Sequence, residues 1–415
     1  MRFDCVIIGG GLSGLVCGIS LQKAGKKCAI VSAGQNSLNF SSGTVGLLSR
    51  LSDGTPVDKP LEALSQLGEG HPYRKIGIEK LRGYAEGIKS FFAECGVSLS
   101  GDVETNGFYL TAVGNYKRAA LAMDGITLLK DKNQKIGDNV LVVNMEGYLD
   151  FNTQFIASGL ERNGSKCRIE TVNLDSLERI RKSPTEMRAL NIARVLDSEK
   201  VREQLIDSVK AILKDEDCVV MPAVCGLDRE GVDKLISEAI GRKVYFIGTM
   251  PPTIPGMRAQ MSLKSSFVSA GGTFMMGDQV LRGELKGDRI ISVVTANLGD
   301  VNLEADNFVL ATGSYFARGL SSSPEGINEP VFGLDTDCSS DRNDWYDPQF
   351  FNKQNYLGYG VVTDDSFKAV KNGHTLDNLY VTGSILSGMN ALYEGCGAGV
   401  AIFSAMKAAE SILGE

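Results

Sequence analysis

The sequence predicts an α/β protein: a discontinuous domain built on a parallel sheet, interrupted by a smaller inserted α/β domain. Three observations carry that reading. Residues 3–14, FDCVIIGGGLSG, form a short apolar run that empties into Gly9, Gly11 and Gly14 ahead of helical apolar spacing. Residues 138–174, DNVLVVNMEGYLDFNTQFIASGLERNGSKCRIETVNL, repeat a strand–helix–strand texture in a different setting. Near the C-terminus, apolar strands that end in glycine return as FVLATGS (308–314) and NLYVTGS (378–384). Strands alternating with helical patterns specify parallel sheets.

The N-terminal glycines have G-x-G-x-x-G spacing, and each has its own task. Gly9 allows the tight strand-to-helix turn, Gly11 lets backbone approach a pyrophosphate, and Gly14 lets helix pack on strand. Leu12 and Ser13 open the helix whose N-terminus faces the phosphates, with apolar positions at Leu15, Val16, Ile19 and Leu21. CAIVS (28–32) closes a βαβ unit of the length this Rossmann-type motif requires. The acidic residue that ordinarily grips the adenosine ribose is missing. The second strand ends Val31-Ser32-Ala33-Gly34, and no Asp or Glu occurs between Asp4 and Asp53. Either Ser32 or Gln35 makes that contact by a neutral hydrogen bond, or the cofactor lacks the adenosine half.

The remaining elements follow in order. A polar, Gly/Ser-rich loop spans 34–60, and a helix is expected over Glu79 to Cys95. In the insert, helices are expected over Thr185 to Leu196 and Lys200 to Lys214. Buried strands are expected at Cys218 to Val224 and Lys243 to Thr249, with a helix between them. The breaker Pro251-Pro252-Thr253-Ile254-Pro255-Gly256 leads into a helix over Met257 to Ala270. The expected layout is 1–100 as the first part of the main domain, 101–270 as an inserted cap or substrate domain, 271–320 as the second part, 321–358 as a further cap segment, and 359–415 as the C-terminal part.

Composition narrows the class. A chain of 415 residues with 43% hydrophobic and 22% charged residues is globular, and a net charge of −7 argues against nucleic-acid binding. The nine cysteines lack C-x-x-C spacing, so neither zinc nor an iron–sulfur cluster is indicated, and reduced thiols in a cytosolic compartment are expected. Asp4 and the glycines argue against a signal peptide, and no run approaches the ~20 apolar residues a membrane span needs.

In a Rossmann-type sheet the strand ends gather on the ligand side, which draws in Ala311, Gly313, Gly383 and Ser384. The turn EGCGAGV (394–400) opens a helix with Gly395, Gly397, Ala398 and Gly399 at its start. Free N–H groups and a positive dipole end there suit the negative charge of a reduced flavin. The competing reading is close helix–strand packing. Ser42 and Gly43, on the loop after the second strand, are further candidates for backbone contact with the cofactor.

Over nearly its whole length the chain resembles the B-subunit family of anaerobic glycerol-3-phosphate dehydrogenase. The stretches that carry the resemblance are MRFDCVIIGGGLSGL, FSSG (40–43), His71-Pro72-Tyr73, TEMRALNIARVLD (185–197) and the Pro-Pro segment with Gly256 and Arg258. They continue with EPVFGLD (329–335), GVVTDD (360–365) and EGCGAGV. The resemblance implies a flavoprotein, with FMN as the cofactor and FAD as the alternative. It implies a catalytic FAD subunit and an iron–sulfur subunit as partners, supporting oxidation of sn-glycerol 3-phosphate and electron transfer to membrane quinone. A cytoplasmic location follows, or a peripheral one on the inner membrane through a partner. One departure is visible: Ser384 follows Gly383 where FAD enzymes usually place an Asp.

For the alcohol oxidation itself, His71 is the candidate base, since it lies in a His-Pro-Tyr loop while His374 sits in a turn. Arg188 and Arg258 are candidates for binding the substrate phosphate. Cys396 has no second thiol adjacent and reads as a small residue in a tight turn. A non-catalytic assembly subunit with a degenerate flavin site, and an NAD(P)-dependent reductase using the same glycines, remain as alternatives.

Overall fold

The computed structural model describes residues 1–183 and 185–414, and the chain divides into two compact units. The first comprises Met1–Ser37, Gly46–Gly96 and the chain from Ser262 on; the second comprises Leu38–Val45 and Val97–Met261. Residues 38–45 join the second unit because Thr44 and Val45 pair antiparallel with Leu121 and Ala122. The stretch 321–358 lies in the first.

The first unit holds five parallel strands in the order Thr273–Met276, Cys28–Ser32, Arg2–Ile8, Leu303–Leu310, His374–Val381. Cys5, Val6 and Ile7 are fully buried, as are Cys28, Ala29 and Ile30. Strands covered on both faces read as unbroken apolar runs, which is the pattern these segments show. Helix Leu12–Lys23 buries Leu15, Val16, Ile19 and Leu21 completely, each contributing roughly 1.5–3 kcal/mol. It packs beside the final helix, Gly397–Leu413. Strands Val280–Lys286 and Arg289–Thr295 form an antiparallel extension on the N-terminal half of Leu303–Leu310, through Ser292–Glu304 and Val293–Leu303 pairing.

The second unit carries its own parallel sheet, ordered Lys243–Ile247, Cys218–Pro222, Asn139–Met145, Lys166–Val172. Its core gathers Val140 to Val143, Val219, Val220, Leu160, Leu205 and Ile236, with helices Thr153–Arg162, Glu199–Ile212 and Val232–Ile240 supplying the apolar stripes.

Two expected helices differ in extent. The one placed over Thr185 to Leu196 is shorter, Ala189–Leu196: Glu186 N–H donates to Ser183 O and Arg188 N–H to Glu186 O, so turns precede it. The helix expected from Met257 begins three residues earlier and runs Ile254–Ser269. Pro255 falls in its first turn, where no intrahelical N–H donor is required. Among the described residues, no helix is long and apolar enough to cross a membrane.

Candidate functional site

The N-terminal glycines have different reasons to be glycine. A Cβ on Gly9 would lie 2.2 Å from Ala311 O, and one on Gly14 would lie 1.9 Å from Gly9 O. Both are fixed by packing within the protein. At Gly11 the backbone is extended (φ −80°), which any residue adopts, and a Cβ there would meet nothing nearer than Asn36 Cβ at 3.9 Å. Nothing in the protein crowds this position, and an open backbone of this kind suits close approach of a pyrophosphate. Asn36 steadies the turn by donating from Nδ2 to Gly10 O at 2.7 Å, a contact no sequence pattern announces.

Gly11 also serves as N-cap without a side chain, and no acidic residue stands in the helix's first turn. That end therefore keeps its positive character for an anion. Ser32 is buried under this turn and donates its hydroxyl to Gly34 O at 3.1 Å.

Around the strand ends, backbone pairing continues one residue past each strand. Gly9 N–H donates to Val31 O, Ala311 N–H to Ile8 O, and Thr382 N–H to Leu310 O. The loops behind them lie close together. A Cβ on Gly383 would be 3.0 Å from Ser13 Cβ, and one on Gly313 would be 3.6 Å from Ser384 Oγ. Ser404, on the final helix, accepts Gly383 N–H at 3.0 Å. The hydroxyls of Ser13, Thr312 and Thr382 are buried and have no hydrogen-bond partner among the described residues. Buried polar groups are rarely left so, and the Ser13 hydroxyl, on the helix that opens at Gly11, suits a polar ligand such as a dinucleotide. The residues present fit a flavin of that kind.

The turn at 394–399 is fastened from inside the same unit. Ser49 and Arg50 N–H donate to Glu394 O, and Gly399 N–H donates to Gly46 O at 3.0 Å. Tyr73 Oη donates to Leu47 O at 2.7 Å. Cβ atoms on Gly395 and Gly399 would meet Ser49 Oγ at 2.6 Å and Tyr73 Oη at 2.2 Å. These two glycines thus answer to packing, the competing reading of the sequence. The final helix starts with N-cap Cys396, which makes no side-chain cap, and no acid stands in its first turn. Gly397 and Ala398 occupy that first turn. Burial, then Glu394, pushes the Cys396 thiol well above its ordinary range, so it stays protonated.

His71 and Arg258 are engaged inside the fold, while Arg188 stays half exposed beside Asp150. His71 is not placed to act as a base: it is 3% exposed, caps the helix Pro72–Ile76, and accepts Tyr73 N–H on Nδ1 at 3.1 Å. Nδ1 is therefore engaged, and Nε2 faces buried Glu394 at 3.5 Å rather than an open site. Arg258 is a buried strut rather than a phosphate clamp, donating to Gly226 O, to Asp124 O at 2.6 Å and to Asp124 Oδ2 at 3.4 Å. Arg188 is paired through Nη1 with both carboxylate oxygens of Asp150, at 2.9 and 3.0 Å. Ser42 and Gly43 lie in the second unit, where Ser42 Oγ is 2.8 Å from Thr44 Oγ1 and Gly43 O accepts Met123 N–H.

A family model described as FAD binding domain matches residues 4–400; FMN as first choice of cofactor finds no support in it. The chain is 41% identical over 417 residues to the B subunit of anaerobic glycerol-3-phosphate dehydrogenase from Yersinia enterocolitica, covering all of this chain and 98% of that protein. It is 39% identical over 420 residues to the protein of the same name from Pectobacterium carotovorum subsp. carotovorum, covering all of this chain and 99% of that one. Among solved structures, 3-ketosteroid Δ1-dehydrogenase from Sterolibacterium denitrificans aligns over the whole chain and 99% of its own, at 9% identity and a TM-score of 0.45. The chain therefore belongs to the FAD-binding-domain family and, within it, to the B-subunit family of anaerobic glycerol-3-phosphate dehydrogenase, a family of flavin-dependent oxidoreductases.

Proposed function

We propose that this chain is a flavin-carrying subunit of a quinone-linked anaerobic glycerol-3-phosphate dehydrogenase. It supports oxidation of sn-glycerol 3-phosphate to dihydroxyacetone phosphate and passes electrons toward the membrane quinone pool. The observation that carries this reading is the 41% identity over full length to a protein bearing that name. The family model that matches favours FAD as the flavin.

Bound flavin supplies the ability to take up two electrons and pass them on. The protein's part is binding and electrostatics. The uncapped helix start at Leu12 and the open position at Gly11 would hold the pyrophosphate, with the Ser13 hydroxyl on the same helix. The uncapped start of the final helix at Gly397 and Ala398, with neutral Ser384 where an acid is usual, would suit negative charge on the cofactor.

With His71 and Arg258 engaged inside the fold, no buried base or phosphate clamp for glycerol 3-phosphate stands out among the expected residues. That supports a relay role, with hydride removal in a catalytic FAD subunit and onward transfer through an iron–sulfur subunit at the cytoplasmic face of the membrane. The test is glycerol-3-phosphate oxidation with an artificial acceptor, by this chain alone and with its companions. The expected result is a yellow protein inactive alone and active in the complex; turnover by the isolated chain overturns the relay.

A further inference from the structure

We propose that Gln35 selects a dinucleotide flavin: its neutral side-chain amide stands in for the missing acid and holds the adenosine ribose of FAD. This rests on FAD as the flavin of the proposed function.

A ribose presents two neighbouring hydroxyls, and a carboxylate after the second strand of a Rossmann-type unit ordinarily accepts from them. Here that strand ends at Ser32, and no Asp or Glu lies between Asp4 and Asp53. The contact falls to the turn that follows, and the structure separates the members of that turn. Ser32 is 4% exposed, and its hydroxyl is engaged with Gly34 O at 3.1 Å. It packs beneath the glycine turn, where a Cβ on Gly10 would lie 2.6 Å from Ser32 Oγ. The Ser32 carbonyl already accepts Gly277 N–H. Ala33 and Gly34 offer no polar side chain. Asn36 Nδ2 is engaged with Gly10 O at 2.7 Å. Ser37 opens the short helix Ser37–Phe40, whose remainder belongs to the second unit. Gln35 is exposed, and its amide has no hydrogen-bond partner among the described residues.

The backbone at Gln35 is held although its side chain is free. The Ser32–Gly34 contact ties the residue before it to the strand end, and the Asn36–Gly10 contact ties the residue after it to the glycine turn. Gln35 therefore stands between the end of the second strand and the backbone of Gly10 and Gly11, beside the position open to a pyrophosphate. A Cβ on Gly34 would meet nothing within 4 Å, so the turn has room on that side. Met276 pairs in register with Ser32 and is 48% exposed. It leaves a soft apolar side chain beside the same strand end, suited to the face of an adenine ring.

An amide both accepts and donates: Gln35 Oε1 takes the hydrogen of one ribose hydroxyl, and Nε2 donates to the oxygen of the other. No charge enters the site. FMN ends at its phosphate and has no adenosine, so this contact strengthens binding of FAD and not of FMN.

The full chain, freed of flavin, is titrated with FAD and with FMN by flavin fluorescence, and with ADP, which carries the adenosine ribose without the flavin, by competition. Gln35→Ala should weaken FAD binding about 10-fold and weaken ADP competition alongside it. Its FMN affinity and its melting temperature without flavin should match wild type. Gln35→Glu should keep FAD binding, since a carboxylate accepts both ribose hydroxyls. Ser32→Ala and Ser37→Ala should keep the wild-type preference for FAD over FMN. Unchanged FAD affinity in Gln35→Ala, an equal loss of FMN, or loss of the preference in either serine variant instead overturns the proposal. If wild type binds no FAD, the flavin reading itself fails, and the role of Gln35 with it.

Discussion

His71 Nε2 and Glu394 Oε2 face each other across 3.5 Å, with both side chains nearly inaccessible to water. The approach brings two local devices together without a hydrogen bond: His71 caps the helix Pro72–Ile76 through Nδ1, and Glu394 Oε2 accepts Asn390 N–H at 3.1 Å just ahead of the 394–399 turn. The imidazole thereby supports the start of the final helix instead of taking a substrate proton. Asn is among the best N-caps, so His71→Asn should keep the cap and leave the pH profile of the assembled complex unchanged. His71→Ala should lower stability by about 1–2 kcal/mol, read by thermal or denaturant unfolding, again with no shift in the pH profile.

Substitutions at the N-terminal glycines should separate folding from binding. Gly9→Ala and Gly14→Ala place a Cβ within 2.2 Å of backbone and should cost about 4 kcal/mol or more. Gly11→Ala meets only Asn36 Cβ at 3.9 Å, so without flavin it should cost no more than the N-cap change, about 1 kcal/mol, while flavin occupancy falls sharply. Unfolding of the apo forms, followed by flavin absorbance after reconstitution, reads both effects.

Arg258→Met leaves Asp124 buried without its guanidinium, since the two side chains are 8% and 12% exposed. The expected cost is roughly 3–5 kcal/mol. Because the guanidinium already serves Gly226 and Asp124, the KM for glycerol 3-phosphate of correctly folded complex should not change; a large rise in KM would restore Arg258 as a phosphate ligand.

Asp197 gives a pH signature in the second unit. Burial, then the neighbouring Asp228, raises its pKa from 3.8 to about 6. A raised folded-state value means the protonated form is favoured by folding, so this contribution is present below about pH 4 and lost as pH rises through 6. Asp197→Asn should therefore stabilise the protein above pH 6 and converge with wild type near pH 4, because the amide oxygen can still accept Leu227 N–H, now on Asp197 Oδ1 at 3.2 Å. Unfolding midpoints at pH 4.5 and 7.5 check the divergence.

Much of this architecture was legible because its constraints are local. The strands at 2–8 and 28–32 are buried on both faces and read as unbroken apolar runs, and Gly9 and Gly14 obey contacts within one supersecondary motif. The fastening of the 394–399 turn was not legible, since its partners are main-chain groups hundreds of residues away, Gly46 O and the N–H groups of Ser49 and Arg50, and main-chain groups leave no mark in a sequence. His71 and Arg258 were misread for a related reason. Their residue types can do chemistry, but only tertiary structure tells whether Nδ1 or a guanidinium is already occupied. Pro72, at the start of its helix, was the available signal that His71 is a cap.

An open Gly11 is expected to receive the pyrophosphate of a flavin dinucleotide. Mass spectrometry of the cofactor released from the purified native protein tests this most directly, together with its molar ratio to the chain. The expected result is FAD at close to one per chain; a colourless protein, or FMN in its place, would contradict it.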